Sequence, residues 1–290
     1  MEYRTIAELL VLAEKEKSSL AEIVLRVESE ESDLSRAEVE SLMLENLKVM
    51  RQSIERGANN EIKTGGGLVG DEALKMKQHY QSSTQDFNIY NRVITYALAV
   101  AEVNAGMGKI IAGPTAGASG IVPAVVIALA EELELADQEI IKALFTASGL
   151  GYVVSRKATL SGAAGGCQAE CGVASAMAAG AAVELKEGSP RMVVHAFALA
   201  LKNMLGLVCD PVAGLVEVPC VKRNAFAAVH ALTASSLALA GIESVIPADE
   251  VINVMTEIGD QMPSSLKETS KGGLAVCETA LKIKDQLFNN

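Results

Sequence analysis

"SGAAGGCQAECGVASAMAAG", residues 161–180, joins a glycine-rich turn to an unbroken run of small residues, and how that run is read decides the fold. It lacks the apolar–polar alternation of a half-buried strand, and alanine has the highest intrinsic helix propensity. The stretch predicts a helix over Gln168–Leu185. Composition extends the reading to the whole chain: half of the 290 residues are apolar, only 3% are aromatic and there is no tryptophan. Alanine, glycine and aliphatic side chains must fill the interior, which suits helices packed through small residues better than a sheet rich in Val, Tyr and Phe. An all-α fold with few, short strands is expected.

Cap signals place further helices. Ser189 and Pro190 supply an N-cap and a first-turn proline for a helix over Arg191–Leu205 that ends before Gly206. Similar patterns predict helices over Asp137–Ser148 and Ala225–Ala240, the latter stopped by Gly241. In the first ~56 residues, three short amphipathic helices are each announced by a capping box: Thr5 with Glu8, Ser19 with Glu22, and Ser35 with Glu38. "GANNEIKTGGGLVGDE", residues 57–72, then reads as a flexible boundary or as backbone that approaches a ligand. The chain divides on this reading into an N-terminal helical segment, 1–56, and a helical catalytic domain, 57–290.

A net charge of −11 and a pI near 4.9 exclude nucleic acid and anionic membrane as main partners, because both need clustered Lys and Arg. The most apolar run, 121–130, is about half the length that spans a bilayer. Met1-Glu2-Tyr3-Arg4 opens directly into a charged helical pattern rather than a leader. A soluble, cytoplasmic protein is expected.

Five cysteines, at 167, 171, 209, 220 and 277, do not suggest a disulfide framework in such a chain. Zinc prefers paired knuckles with further Cys or His nearby, and no His lies within helical reach of the pair Cys167 and Cys171. A ferredoxin-type run is absent. By spacing alone, two readings stay open: a cluster assembled from separated cysteines, or several unrelated buried thiols. Gly- and Pro-rich loops before apolar helices, as in "GKIIAGPTAGASGIVPAVV" (108–126), put backbone N–H groups where an anion such as a carboxylate is favoured, and they also serve simply to connect packed helices.

"GCQAECGVASAMAAG", "LGLVCDPVAGLVEVPCVKRNA" and "IAGPTAGASGIVPAVV" together resemble the α subunit of the iron–sulfur-dependent L-serine dehydratases, also called L-serine ammonia-lyases. The similarity runs from the Gly-rich linker to "KETSKGGLA" near the C-terminus. It implies a [4Fe–4S] cluster held by Cys167, Cys209 and Cys220, with one iron left open, and no pyridoxal phosphate. It implies deamination of L-serine to pyruvate and ammonia by α,β-elimination of water, in amino-acid degradation and gluconeogenesis. Cys171 stands where the family usually has an apolar residue, and Cys277 where no cysteine is expected. The Ser-rich segment of single-chain members is not found, which implies a heterodimer completed by a β subunit. Within this resemblance, Thr115, Gly117, Ser119 and Asn224 are candidates for binding substrate and Lys75 and Lys267 for the base, while Glu170 and Asp210 would orient ligands. A cysteine desulfidase of related architecture and a non-catalytic cluster-binding scaffold are the alternatives.

Overall fold

The small-residue run lies at the centre of an all-α molecule. The computed structural model describes residues 2–82 and 88–289, so Met1 and Asn290, the outer ends of the two segments predicted from sequence, lie outside the described residues. The helices are α1 (Ile6–Glu16), α2 (Leu20–Ser32), α3 (Arg36–Asn59), α4 (Glu72–Ser82), α5 (Ile89–Ala105), α6 (Ile121–Glu132), α7 (Asp137–Lys157), the single turn α8 (Gly162–Gly165), α9 (Val173–Leu185), α10 (Pro190–Lys202), α11 (Cys220–Leu239), α12 (Ala248–Gln261) and α13 (Glu278–Phe288). A π-helical turn, Gln168–Gly172, leads into α9. Among the described residues no strand forms, and the one isolated bridge pairs Cys209 with Lys267 in parallel.

Every residue of α9 except Glu184 is buried, and α6 is buried from Ile121 to Ala130. A helix apolar on all sides belongs in the interior. α9 packs on α6, α7, α10 and α11. Small residues permit that density: a methyl added at Gly180 would overlap Leu150 of α7. The hydroxyl of Ser175, the polar side chain in the middle of α9, is satisfied by donating to the Ala227 carbonyl at 2.8 Å.

The predicted helices form, with shifted ends. α7 continues nine residues past Ser148, to Lys157. Gly149 and Gly151 suggest a stop in the sequence, yet each sits where a side chain would meet a neighbour: Val24 of α2 at the first, Met177 of α9 at the second. They are close-approach positions rather than terminators. α10 ends at Lys202, where Asn203 turns its amide back to the Leu199 carbonyl, so Gly206 takes its left-handed conformation (φ 84°) outside the helix. α11 begins at Cys220, directly after Pro219, rather than at Ala225.

Two of the three N-terminal capping boxes are complete, those of Thr5 and Ser35. At Ser19 only the hydroxyl caps, because Glu22 is turned to the guanidinium of Arg36 in a two-bond pair at 2.7 and 2.8 Å. α3 is not short; it runs 24 residues and passes through position 57 without interruption. Side chains of α1, α2 and α3 belong to the same buried cluster as those of α6, α7 and α9.

Asp249 of α12 joins the start of α1 to this body. Its carboxylate accepts from the Ile6 and Ala7 N–H groups at 3.1 and 2.9 Å and from the Lys157 ammonium at 2.9 Å. Asp249→Ala strands two helix-start donors, and a loss of about 2 kcal/mol in a denaturant titration is the expected result.

The glycine-rich stretch after α3 is held in place. Glu217, buried, accepts from the Thr64 hydroxyl (3.0 Å) and from the N–H groups of Gly66 (2.6 Å) and Leu68 (2.9 Å). Fully buried Glu102 accepts from the N–H groups of Glu72 and Ala73 at the start of α4, and Glu72 pairs with Lys222 of α11. Burial, then the neighbouring Glu72, pushes the Glu102 carboxyl up to about 8. For Glu72 burial acts upward, but hydrogen bonds from Glu102, Lys222 and Gly70 outweigh it and hold the group at about 2.

Glu102 therefore keeps a proton in the native state, between its ordinary value and about 8, that the unfolded chain has released. Its contribution is complete at the acid end of that window and is lost as pH rises through about 8. Glu102→Gln fixes the neutral form, so the stability of this variant relative to the wild type should rise between about pH 5 and about pH 8. Thermal midpoints of both proteins at the two pH values check this; a constant difference would refute it.

Candidate active site

Three helices begin beside one cavity. Residues 115–117 precede α6, Cys167 caps and Cys171 lies within the π turn before α9, and Cys220 opens α11. The cavity has a volume of 220 Å³, and four cysteines, 167, 171, 209 and 220, lie in its wall. Thr115, Ala116, Gly117 and Glu170 line it further, and Pro211, Val216 and Glu268 complete the wall. Cys277 is exposed at the start of α13 and is not among the lining residues. All five thiols are unbridged.

The 209–220 loop is braced from several sides. The Cys209 N–H donates to Leu266 O at 2.9 Å, and the Glu268 N–H donates to Cys209 O at 2.8 Å, so the C-terminal segment runs alongside it. Buried Asp210 accepts from Arg223 Nη2 (2.9 Å) and from the Leu274 N–H (2.8 Å), which ties α11 and residues 273–276 to the same turn. The Ser270 hydroxyl donates to Pro211 O at 2.9 Å. The Gly113–Pro114 and Val218–Pro219 peptide bonds are cis.

Asn224 joins the first loop to the third helix. Fully buried, it accepts from the Gly120 N–H at 3.0 Å and donates to Gly117 O and Cys220 O at 2.8 and 2.9 Å. Its amide thus acts as a cross-brace and takes an N–H at the start of α6 that an anion would otherwise seek. The Ile121 N–H donates to Ala118 O. Ser119 is also fully buried, and its hydroxyl has no hydrogen-bond partner.

Glu170 faces the cavity with its Oε1 accepting from the Thr115 hydroxyl at 2.9 Å. Burial pushes its carboxyl up, against the Thr115 bond. Gly162 is required here: a side chain at that position would strike Glu170 Oε2 and come within 3.1 Å of Cys209 Sγ. Burial raises the Cys209 thiol and pushes Cys220 up to about 12. A hydrogen bond from Cys171 holds Cys167 below the ordinary thiol value, while the same bond and burial raise Cys171. Metal binding at these thiols must release protons and so strengthens with pH.

A sequence model of the serine dehydratase alpha chain family matches residues 15–275 of this chain. The chain belongs to that family. It is 43% identical over 287 residues to a probable L-serine dehydratase alpha chain of Bacillus subtilis, covering 99% of this chain and 95% of that one. It is 39% identical to the L-serine dehydratase alpha chain of Peptoniphilus asaccharolyticus, over 97% of this chain and 96% of the other. L-serine dehydratase 1 of Escherichia coli is 37% identical over 94% of this chain, which spans 62% of that longer protein.

In this serine dehydratase alpha chain, the structure brings Cys167, Cys209, Cys220, Thr115 and Gly117 to one wall. Ser119 and Asn224 stand behind it, buried. Neither lysine lines the cavity: Lys75 is exposed on α4 and paired with Asp71 at 2.7 Å, and Lys267 meets the site through the backbone bridge to Cys209. Glu268 and Val216 are wall residues that the sequence reading did not single out. His195 and His230 are engaged by backbone groups, Ser244 N–H and Ala200 O, as ordinary packed histidines.

Proposed function

We propose that this chain carries the reaction centre of an L-serine dehydratase, which eliminates water from L-serine to give pyruvate and ammonia. Cys167, Cys209 and Cys220 would hold a [4Fe–4S] cluster, and a β chain would complete the enzyme. The meeting of these three cysteines, drawn from separate segments, at one cavity with Thr115, Gly117 and Glu170 is what carries the reading. Among the described residues no three His, Cys, Asp or Glu converge closely enough for a single ion. Separate thiols set around a cavity suit a polynuclear group, in which three irons would each take one thiolate and the fourth none.

When bound, the cluster supplies an iron without a protein thiolate, a Lewis acid for the departing hydroxyl. The chain's own residues would do the rest. The Thr115–Gly117 loop is suited to the substrate carboxylate, and its cross-brace to Asn224 keeps it in register with Cys220. Glu170, whose basicity burial raises, is placed to take the Cα proton, and the Thr115 hydroxyl orients its carboxylate. The aminoacrylate that leaves then tautomerises and hydrolyses without protein assistance, so the scheme has no need of pyridoxal phosphate.

Anaerobic purification with the partner chain tests this reading. The loaded protein should contain about four irons per alpha chain and form pyruvate from L-serine. Turnover of serine by iron-free protein would overturn it.

A further inference from the structure

Cys171 is the cavity thiol for which the proposed ligand set has no use. It is 2% exposed, Cys167 is 4% exposed, and the helical turn that holds them four residues apart places both in the wall of the same cavity. Residues four apart on a helical turn have Cα atoms about 6 Å apart, within the span of a disulfide, and closing the bridge draws their Cβ atoms in from about 5–6 Å by a local shift of the turn. Val216 and Glu268, both exposed, border the cavity, so a small solute reaches the thiols from solvent.

We propose that Cys167 and Cys171 form a reversible disulfide when the cluster is absent and a peroxide is present, a modification site that withholds one ligand from cluster assembly until a thiol reduces it. The part concerning cluster assembly rests on the ligation proposed above; the disulfide itself does not. One thiolate attacks hydrogen peroxide, breaking the O–O bond and releasing hydroxide, which leaves a sulfenic acid. The second thiol displaces the sulfenic hydroxyl as water and closes the S–S bond, so two thiols are oxidised by two electrons as one peroxide is reduced. Dithiothreitol reverses the change by thiol–disulfide exchange. Cys171 thereby protects Cys167 from the irreversible sulfinic state.

Trypsin separates this pair from its competitor. Peptide 158–186 contains Cys167 and Cys171 and no other cysteine, and peptide 203–222 contains only Cys209 and Cys220. The iron-free full-length chain, treated with one equivalent of hydrogen peroxide and then alkylated, should yield peptide 158–186 lighter by two hydrogens and unalkylated, with peptide 203–222 alkylated twice. Iron uptake should be lost in that sample and regained after dithiothreitol. In Cys171→Ser an excess of peroxide should carry Cys167 through the sulfenic to the sulfinic acid, read as two added oxygens on peptide 158–186 and an iron uptake that dithiothreitol does not restore. The wild type under the same excess should still hold the bridge and recover. A bridge in peptide 203–222 instead, or full alkylation of 158–186 in the wild type, overturns the proposal. Failure of the reduced wild type to take up iron would instead count against the ligation, since the peptide masses decide the disulfide independently.

Discussion

Cys209→Ser, purified anaerobically beside the wild type, should retain little iron and lose serine turnover by about 100-fold or more, because one of only three proposed protein ligands is gone. The loss can be read as ligation rather than unfolding. The backbone that carries Cys209 is fixed by its own N–H and carbonyl, through Leu266 O and the Glu268 N–H, and serine leaves both bonds intact. Helical circular dichroism should therefore match the wild type. Cys277→Ser provides the control: that residue is exposed outside the cavity and should leave the iron content unchanged. Full iron in Cys209→Ser would contradict the assignment.

The depth of that effect follows from how the site is built. α6, α9 and α11 pack on one another in the core, and each begins at the cavity, so the segments that carry Thr115, Cys167 and Cys220 are fixed by aliphatic burial far from the chemistry. The two loops that no core helix fixes are braced by buried polar side chains: Asn224 for 113–120, and Asp210 with Glu217 for 209–220. Such side chains have no period and no motif of their own, and their partners are 64 and 151 residues away in the chain for Asp210 and Glu217. Asn224 meets Gly120 and Gly117 across 104 and 107 residues, which is why its bracing role has no local signal in the sequence.

Legibility elsewhere followed the range of the interaction. Helix starts depend on side chains three residues apart, so Thr5, Ser35 and Ser189 placed α1, α3 and α10 correctly. Helix ends depended on tertiary packing, and Gly149 and Gly151 misled because a glycine that admits a neighbouring helix looks, in sequence, like one that stops its own. The grouping of Cys167, Cys209 and Cys220 came from a resemblance in motifs, since spacing and composition alone favour unrelated buried thiols. Glu268 was missed because it enters the wall only through the bridge that lays residues 266–268 along Cys209.

Activity should disappear in air before the fold does. An iron without a protein thiolate is open to substrate, and that same opening exposes it to oxygen and to exchange with solvent. The remaining irons keep their thiolates for a time, and the helical core rests on buried Ala, Val, Leu and Ile rather than on metal. Air exposure should therefore abolish pyruvate formation over a period in which helical circular dichroism changes little. Ferrous iron, sulfide and a thiol reductant, added anaerobically, should restore turnover. The reductant is needed twice over, to keep the iron ferrous and to free Cys167 from Cys171. Undiminished turnover through prolonged aerobic handling would rule out an open iron and return the chemistry to the cavity's protein groups alone, with Glu170 the first to be tested.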